Sequence, residues 1–507
     1  MRVALVLLRV KLRHYLGSVF DRPRNFVFLL IVYSLWLAVT GIFSLALRFA
    51  GVVSGSGPTG FLPVLTEVTV IAVMAAGIYL GLKGGVTAFP YEIDFVLPSR
   101  VKPRAFLVSD ALFQFVMLSL FVVPPVALMI WTITYPAHVA YLTVAMPCYA
   151  IAMATAILLS HVIGLSRTKL GEGASRFLGW SLMASVLMPL GLSALGVPRP
   201  TELRYHPALI LAHAVTRGSA SDFLYLLPYV AVLSAAYFRL SGTNFYPSVT
   251  PLLVSALMDR PTAITARIAI PAVLSRVLGL RASSGLSGLM YSLHLTRVAR
   301  EGSLLTGATI LVLLTLGNTA VPRMMGGFQF PELAQLTMIA LYVPLLPALL
   351  AINWSLSERR NLWLVKMSPW SERQYLSGLL LAYVTVSLPF SLVLYSLVSV
   401  GVGELPFLAV DLILLASMSY FGSALAVLAS LTVRIESSPL SLGSLVFIVV
   451  PLAGSALLSL PVLVLRTLEP LASSPTLTVI SAALIYVAAF AAVLYRSLVR
   501  GGTRYLT

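Results

Sequence analysis

Apolar residues in this chain neither alternate nor recur on a single stripe. They run on in blocks of about twenty, each closed by a short polar segment. A helix rises 1.5 Å per residue, so about 20 apolar residues cross a hydrocarbon core of roughly 30 Å. Twelve blocks approach this length. The first six lie at about 26–47, 61–82, 111–134, 138–165, 177–197 and 223–240, and the second six at about 303–321, 333–354, 377–400, 406–432, 442–465 and 476–495. The pattern predicts an all-α membrane protein of about 12 transmembrane helices.

Composition agrees. The chain is 59% hydrophobic and 10% charged, with a mean hydropathy of +0.96, whereas soluble domains carry roughly 25% charged residues. The single cysteine, Cys148, lies inside an apolar block, which excludes a disulfide framework and a cysteine metal site. The net charge of +17 is a topology signal. Of 34 lysines and arginines, 28 fall in the seven segments that share a side with the N-terminus. Positive residues are retained on the cytoplasmic side, so both termini are expected there, in a multi-pass protein of the cell membrane. Their spread over seven segments, without one patch of interleaved aromatics, argues against a nucleic-acid partner.

The opening "MRVALVLLRVKLRHYLGSVF" reads as an interfacial helix and not as a cleaved leader, since basic residues punctuate its apolar run. At 100° per residue Arg2, Arg9 and Arg13 form one stripe, opposite a leucine and valine face. A second amphipathic segment, "LSGLMYSLHLTRVARE" at 286–301, precedes the seventh block.

The two sets of six blocks are similar to each other. "PVLTEVTVIA" at 63–72 overlays "PELAQLTMIA" at 331–340 with five identities in ten, at an offset of 268 that places Glu67 on Gln335. The same offset superposes "FVLPSRVKPRAFLVSD" (95–110) on "WLVKMSPWSERQYLSG" (363–378). Each half has an even number of spans, which predicts two parallel six-helix repeats. The expected organisation is a first half at 1–240, a cytoplasmic connecting segment at 241–302 and a second half at 303–507.

Catalytic motifs are missing: there is no G-x-x-x-x-G-K-[ST], no H-E-x-x-H and no G-x-S-x-G. The chain is not expected to be an enzyme or to hold a metal. His138, His161, His206 and His213 are scattered and read as interfacial polar residues. Only Glu67 and Asp411 are expected to carry a carboxylate into a span, each about two turns from the outer side. Buried charge of this kind marks a path for substrate or ions, or an interhelical hydrogen bond. Glu67, Gln335 and Asp411 are therefore the candidate lining of a translocation path.

The windows 95–110 and 363–378 fall in the inward loop between the second and third span of each half. Their mixture of apolar and charged residues suits a paired docking site for a soluble partner, against the alternative of a generic positive turn. With the N-terminal amphipathic helix, and with "YHPALILAHAVTRGSASDFLYLL" at 205–227, where Pro207 opens a short helix that ends at Arg217 and Gly218, these loops resemble those of the ABC-2 type permeases, the membrane components of ATP-driven exporters. The resemblance implies a fused two-half permease that carries substrate outward and is energised by two copies of a separate ABC ATPase. ATP and magnesium would sit on that partner, with no cofactor in this chain. It implies that Arg100, Lys102 and Arg104 of the first loop, and Lys366, Trp370, Glu372 and Arg373 of the second, couple the two. The alternative is an ion-coupled secondary transporter with 12 spans.

Overall fold

The computed structural model of the 507-residue chain describes residues 2–20, 23–49, 58–88, 101–135, 138–217, 224–242, 250–251, 286–300, 303–324, 342–357, 371–402, 409–432, 442–468 and 476–506, with Glu92, Val96, Ser99, Ile339 and Met367. Arg100, Gln335, Lys366 and Trp370 lie outside the described residues, as does most of the connecting segment. The chain forms two compact units, Met1–Ala256 with Leu316–Phe330, and Leu257–Thr315 with Pro331–Thr507.

Among the described residues, seven helices are long and apolar enough to cross a membrane. Nearly all the described structure is helix, and the architecture is that of a multi-pass, all-α membrane protein. The first unit holds α1 (Arg2–Phe20), α2 (Pro23–Phe49), α3 (Pro58–Lys83), α4 (Pro103–Thr134), α5 (His138–Leu195), α6 (Pro207–Arg217) and α7 (Leu227–Leu240). The amphipathic α8 (Leu286–Arg300) belongs to the second unit, and α9 (Ser303–Met324) is divided between the two at residue 315. The second unit continues with α10 (Leu345–Ser357), α11 (Glu372–Val402), α12 (Ala409–Thr432), α13 (Leu442–Leu468) and α14 (Thr476–Leu506).

Helix α5 is too long for one crossing. Its apolar run, Tyr141–Leu195, has 55 residues, or about 80 Å of helix at 1.5 Å per residue. Gly171 breaks it, with φ 80° and ψ 167°, a backbone conformation that a side chain disfavours. The chain folds back there, so Ser175 Oγ donates to the carbonyl of Ile163 at 2.8 Å, and Ser166 Oγ lies 2.8 Å from Ser175 Oγ. The two expected blocks at 138–165 and 177–197 are the two arms of this hairpin.

Packing in the first unit centres on α3 against α5. Small residues let the backbones touch: a Cβ on Gly81 would stand 3.0 Å from the Cα of Ser160, and one on Gly77 2.8 Å from the Cα of Ala156. Close approach of this kind is how membrane helices gain packing energy when burial from water no longer drives association. Beside it, Leu62, Ile71, Tyr149 and Leu211 form a core joining α3, α5 and α6. In the second unit Val343, Leu346, Leu394, Val410, Leu414 and Val462 play the same role.

Two short strands complete the first unit. β1 (Thr87–Ala88) pairs in parallel with β2 (Thr250–Pro251), with Thr87 opposite Thr250 and Ala88 opposite Pro251. The chain leaving α3 is thereby tied to the chain that follows α7. Below this bridge Val86, Ala88, Phe106, Leu107, Leu165 and Tyr237 are buried together.

Candidate functional site

The first of the two repeated charged windows, 95–110, runs from the segment between α3 and α4 into the first two turns of α4. Helix α4 opens at Pro103, whose fixed φ and missing N–H suit a first helical turn, after Lys102 in extended conformation. Lys102 and Arg104 are exposed, and the Arg104 guanidinium lies beside Gly242. In the second unit Ser371 and Gln374 cap α11 reciprocally: Ser371 N–H donates to Gln374 Oε1 at 3.1 Å, and Gln374 N–H to Ser371 Oγ at 3.3 Å. Glu372 and Arg373 sit in the first turn of that helix, Arg373 exposed and Glu372 half-buried.

Behind the first window lies a cluster of charged side chains that hydropathy does not reveal. Lys11 of α1 is wholly buried, its Nζ 2.9 Å from Asp110 Oδ1 of α4 and 3.3 Å from Glu92 Oε2 of the loop. The rings of Phe106 and Phe113 flank the ammonium at 4.7 and 5.6 Å, within reach of a cation–π attraction. Gln114, one turn beyond Asp110, donates to Asp110 Oδ2 at 2.9 Å and to the carbonyl of Gly85 at 3.1 Å.

His161 of α5 closes the far side. Its Nε2 lies 3.2 Å from both Asp110 Oδ2 and the Gln114 amide nitrogen. With a proton on Nε2 the ring donates to Asp110; without one it accepts from Gln114, so a change of tautomer changes its partner. Its Nδ1 has no hydrogen-bond partner among the described residues, and the ring stacks on Tyr237 of α7 at 5.8 Å. One polar cluster thus joins α1, the loop, α4, α5 and α7.

Burying this many charges is costly, and the attraction between them offsets that cost only while the geometry holds. Removing one partner of such a pair destabilises by about 3–5 kcal/mol. Mechanically, Lys11 cannot move away from Glu92 and Asp110 without leaving both carboxylates buried and without their cation. The loop, α1 and α4 are therefore coupled by electrostatics as well as by chain connectivity.

The sequence expectation that only Glu67 and Asp411 bring carboxylates into the spans requires correction. Helix α4 starts at Pro103, eight residues before the expected 111, so Asp110 stands inside the helix and is fully buried. His161, read from the sequence as a scattered polar residue, is likewise a buried member of the cluster.

Glu67 lies near the opposite end of α3 from this cluster, buried and held by two hydrogen bonds from Arg199, Nη2 to Oε1 at 2.9 Å and Nη1 to Oε2 at 3.1 Å. Arg199 also donates from Nε to Ser193 Oγ at 2.9 Å. The pair fastens the turn after α5 to α3. Nearby, burial and then the Arg199 charge push the His206 imidazole down to about 4. In the second unit Asp411 is buried and accepts a hydrogen bond from Tyr395 Oη at 2.9 Å. Among the described residues no group of three or more histidine, cysteine, aspartate or glutamate side chains is placed to hold a metal ion.

In the second unit, the amphipathic α8 packs on α11, where a Cβ on Gly378 would stand 2.8 Å from Met290 Cβ. Its His294 is buried edge-on to Tyr375, 4.6 Å between ring centres, and Tyr375 Oη accepts from Trp354 Nε1 at 3.1 Å. This junction is aromatic where that of α1 with α4 is ionic. No known protein-family model, curated protein or solved structure matches the chain.

Proposed function

We propose that this chain is the membrane-spanning permease subunit of an ABC transporter of the ABC-2 type, an exporter energised by two separate ATPase subunits that bind ATP and magnesium. The observation that carries the reading is the Lys11–Glu92–Asp110 cluster, because it links a short loop that ends at the exposed Lys102 to α1 and to α4, whose first turn carries the exposed Arg104. A partner that pushes on this loop pushes on α1 and α4. The chain supplies the path and the partner supplies the chemistry, so the permease itself is not an enzyme.

Helix bounds support a two-half design of about 12 spans in parallel repeats. Shifted by 268, α4 (Pro103–Thr134) falls on 371–402, where α11 runs from Glu372 to Val402. The windows with Arg100, Lys102 and Arg104, and with Lys366, Trp370, Glu372 and Arg373, are the two docking elements. Both lie on the cytoplasmic face of the cell membrane, with both termini. Glu67, Gln335 and Asp411 are assigned to the substrate path.

A second reading, an ion-coupled secondary transporter, draws on the same cluster, since Asp110 and His161 are ionisable groups buried within helices. Reconstituted vesicles separate the two. Transport by the exporter requires ATP and the ATPase subunit and survives collapse of the proton gradient. Transport that needs the gradient and ignores ATP would establish the second reading.

A further inference from the structure

Helix α1 carries cations on two opposite faces. Ala4 and Lys11 point into the protein. Arg2, Arg9 and Arg13 lie about 180° around the helix from Lys11, at 3.6 residues per turn, and are exposed. None of the three arginines forms an ion pair among the described residues, and residues 1–20 contain no acidic side chain. Flanking this ridge, Val3, Val6 and Val10 are about half exposed or more, at 52, 62 and 46%, and Leu5 is 49% exposed on the other side. The exposed apolar surface continues onto α2 through Phe26, Val27, Leu30 and Ile31.

A basic ridge between two apolar strips has the chemistry of a surface that lies in a lipid headgroup layer. Arginine beside aliphatic side chains meets phosphate at the depth where acyl chains begin. We propose that the Arg2–Arg9–Arg13 ridge binds anionic phospholipid, and that α1 is held between this lipid and the Lys11 cluster. A zwitterionic bilayer satisfies the apolar strips but offers the arginines only phosphates whose charge is already offset by choline, so it attracts the ridge less than an anionic one. Because Lys11 holds Glu92 and Asp110, anionic lipid steadies the loop between α3 and α4 through α1. The proposal is independent of the exporter reading, since it requires no partner protein.

The test is hydrogen exchange on the full-length chain in nanodiscs of zwitterionic phosphatidylcholine, with and without about one-third phosphatidylglycerol, in the absence of any partner. Each basic residue near an anionic surface contributes enough that three together shift the attachment equilibrium by roughly a hundredfold. The amides of residues 3–13 are therefore expected to exchange at least tenfold more slowly in the anionic discs. The gain should fall in high salt and vanish in the Arg2→Gln/Arg9→Gln/Arg13→Gln variant. Lys11→Met should speed exchange in both bilayers while keeping the lipid dependence. Equal protection in both bilayers, or an undiminished lipid effect in the triple variant, would overturn the proposal. So would protection that appears only when an acidic protein partner is added.

Discussion

Lys11 Nζ and Asp110 Oδ1 are 2.9 Å apart across 99 residues of chain, both side chains wholly shielded from solvent. This contact sets how the N-terminal helix, the first charged loop and the first long helix after it behave together. Lys11→Met leaves Glu92 and Asp110 buried without their cation, and is expected to cost about 3–5 kcal/mol. The triple variant Lys11→Met/Glu92→Gln/Asp110→Asn, which removes all three charges, should recover much of that loss. Thermal unfolding of purified protein in detergent reads both. A single variant as stable as the parent would show that the pair contributes nothing.

Contact between α3 and α5 depends on absent side chains. A Cβ on Gly81 would stand 2.9 Å from the carbonyl oxygen of Ser160, and neither backbone can yield without parting the helices. Gly77→Ala and Gly81→Ala should each destabilise by about 1–3 kcal/mol. Gly191→Ala is the control, since a Cβ there meets nothing within 4 Å. It should be neutral or slightly stabilising, by up to about 1 kcal/mol. The same unfolding assay ranks the three.

For Glu67 the prediction is a measured coupling. Glu67→Gln and Arg199→Gln, alone and together, should give an interaction energy of about 0.5–3 kcal/mol in a double-mutant cycle, because the carboxylate and guanidinium meet through two hydrogen bonds. Glu67→Gln also places in the first half the residue that the second half carries at Gln335. Altered transport with negligible coupling would make Glu67 a lining residue alone.

Acid should loosen both units. Burial pushes His206 down to about 4 and His294 to about 3 from an ordinary 6.5, assisted by Arg199 and Arg297 respectively. The unfolded chain then binds more protons than the native one below about pH 6.5, so stability rises with pH in that window. It is fully present above pH 6.5 and is lost as pH falls toward the two native values. A His206→Gln/His294→Gln variant should show a flatter decline between pH 7 and 4. A parallel decline would remove these imidazoles from the account.

Two shorter helices were legible from more than apolarity. The segment opened by Pro207 and ended by Arg217, read through the family resemblance, has those bounds in α6, and the stretch expected from its amphipathic pattern at 286–301 is α8 at Leu286–Arg300. The ionic cluster was not legible, for a physical reason. Hydropathy scores Lys11, Glu92 and Asp110 as solvent-seeking, yet each becomes tolerable in the interior once it meets the others. Those partners are scattered over about a hundred positions. Helical period held one clue, since Lys11 points away from the arginine stripe. Pro103 held another, because a helix starting there carries Asp110 two turns inward. The Arg199–Glu67 pair was hidden in the same way: the arginine sits in a polar turn and reaches back to a carboxylate 132 residues earlier.

The central claim is that the loop before α4 takes force from an ATPase. Its most direct measurement places a photo-crosslinking amino acid at Lys102, the exposed residue just before α4, in the full-length chain in its native membrane. Irradiation should capture a nucleotide-binding subunit. Arg100→Glu/Arg104→Glu should abolish that product without lowering the amount of membrane-inserted chain, since Arg104 is exposed and both arginines precede the apolar run of α4. Capture of lipid alone from Lys102, or an ATPase product undiminished by the charge reversal, would contradict the account.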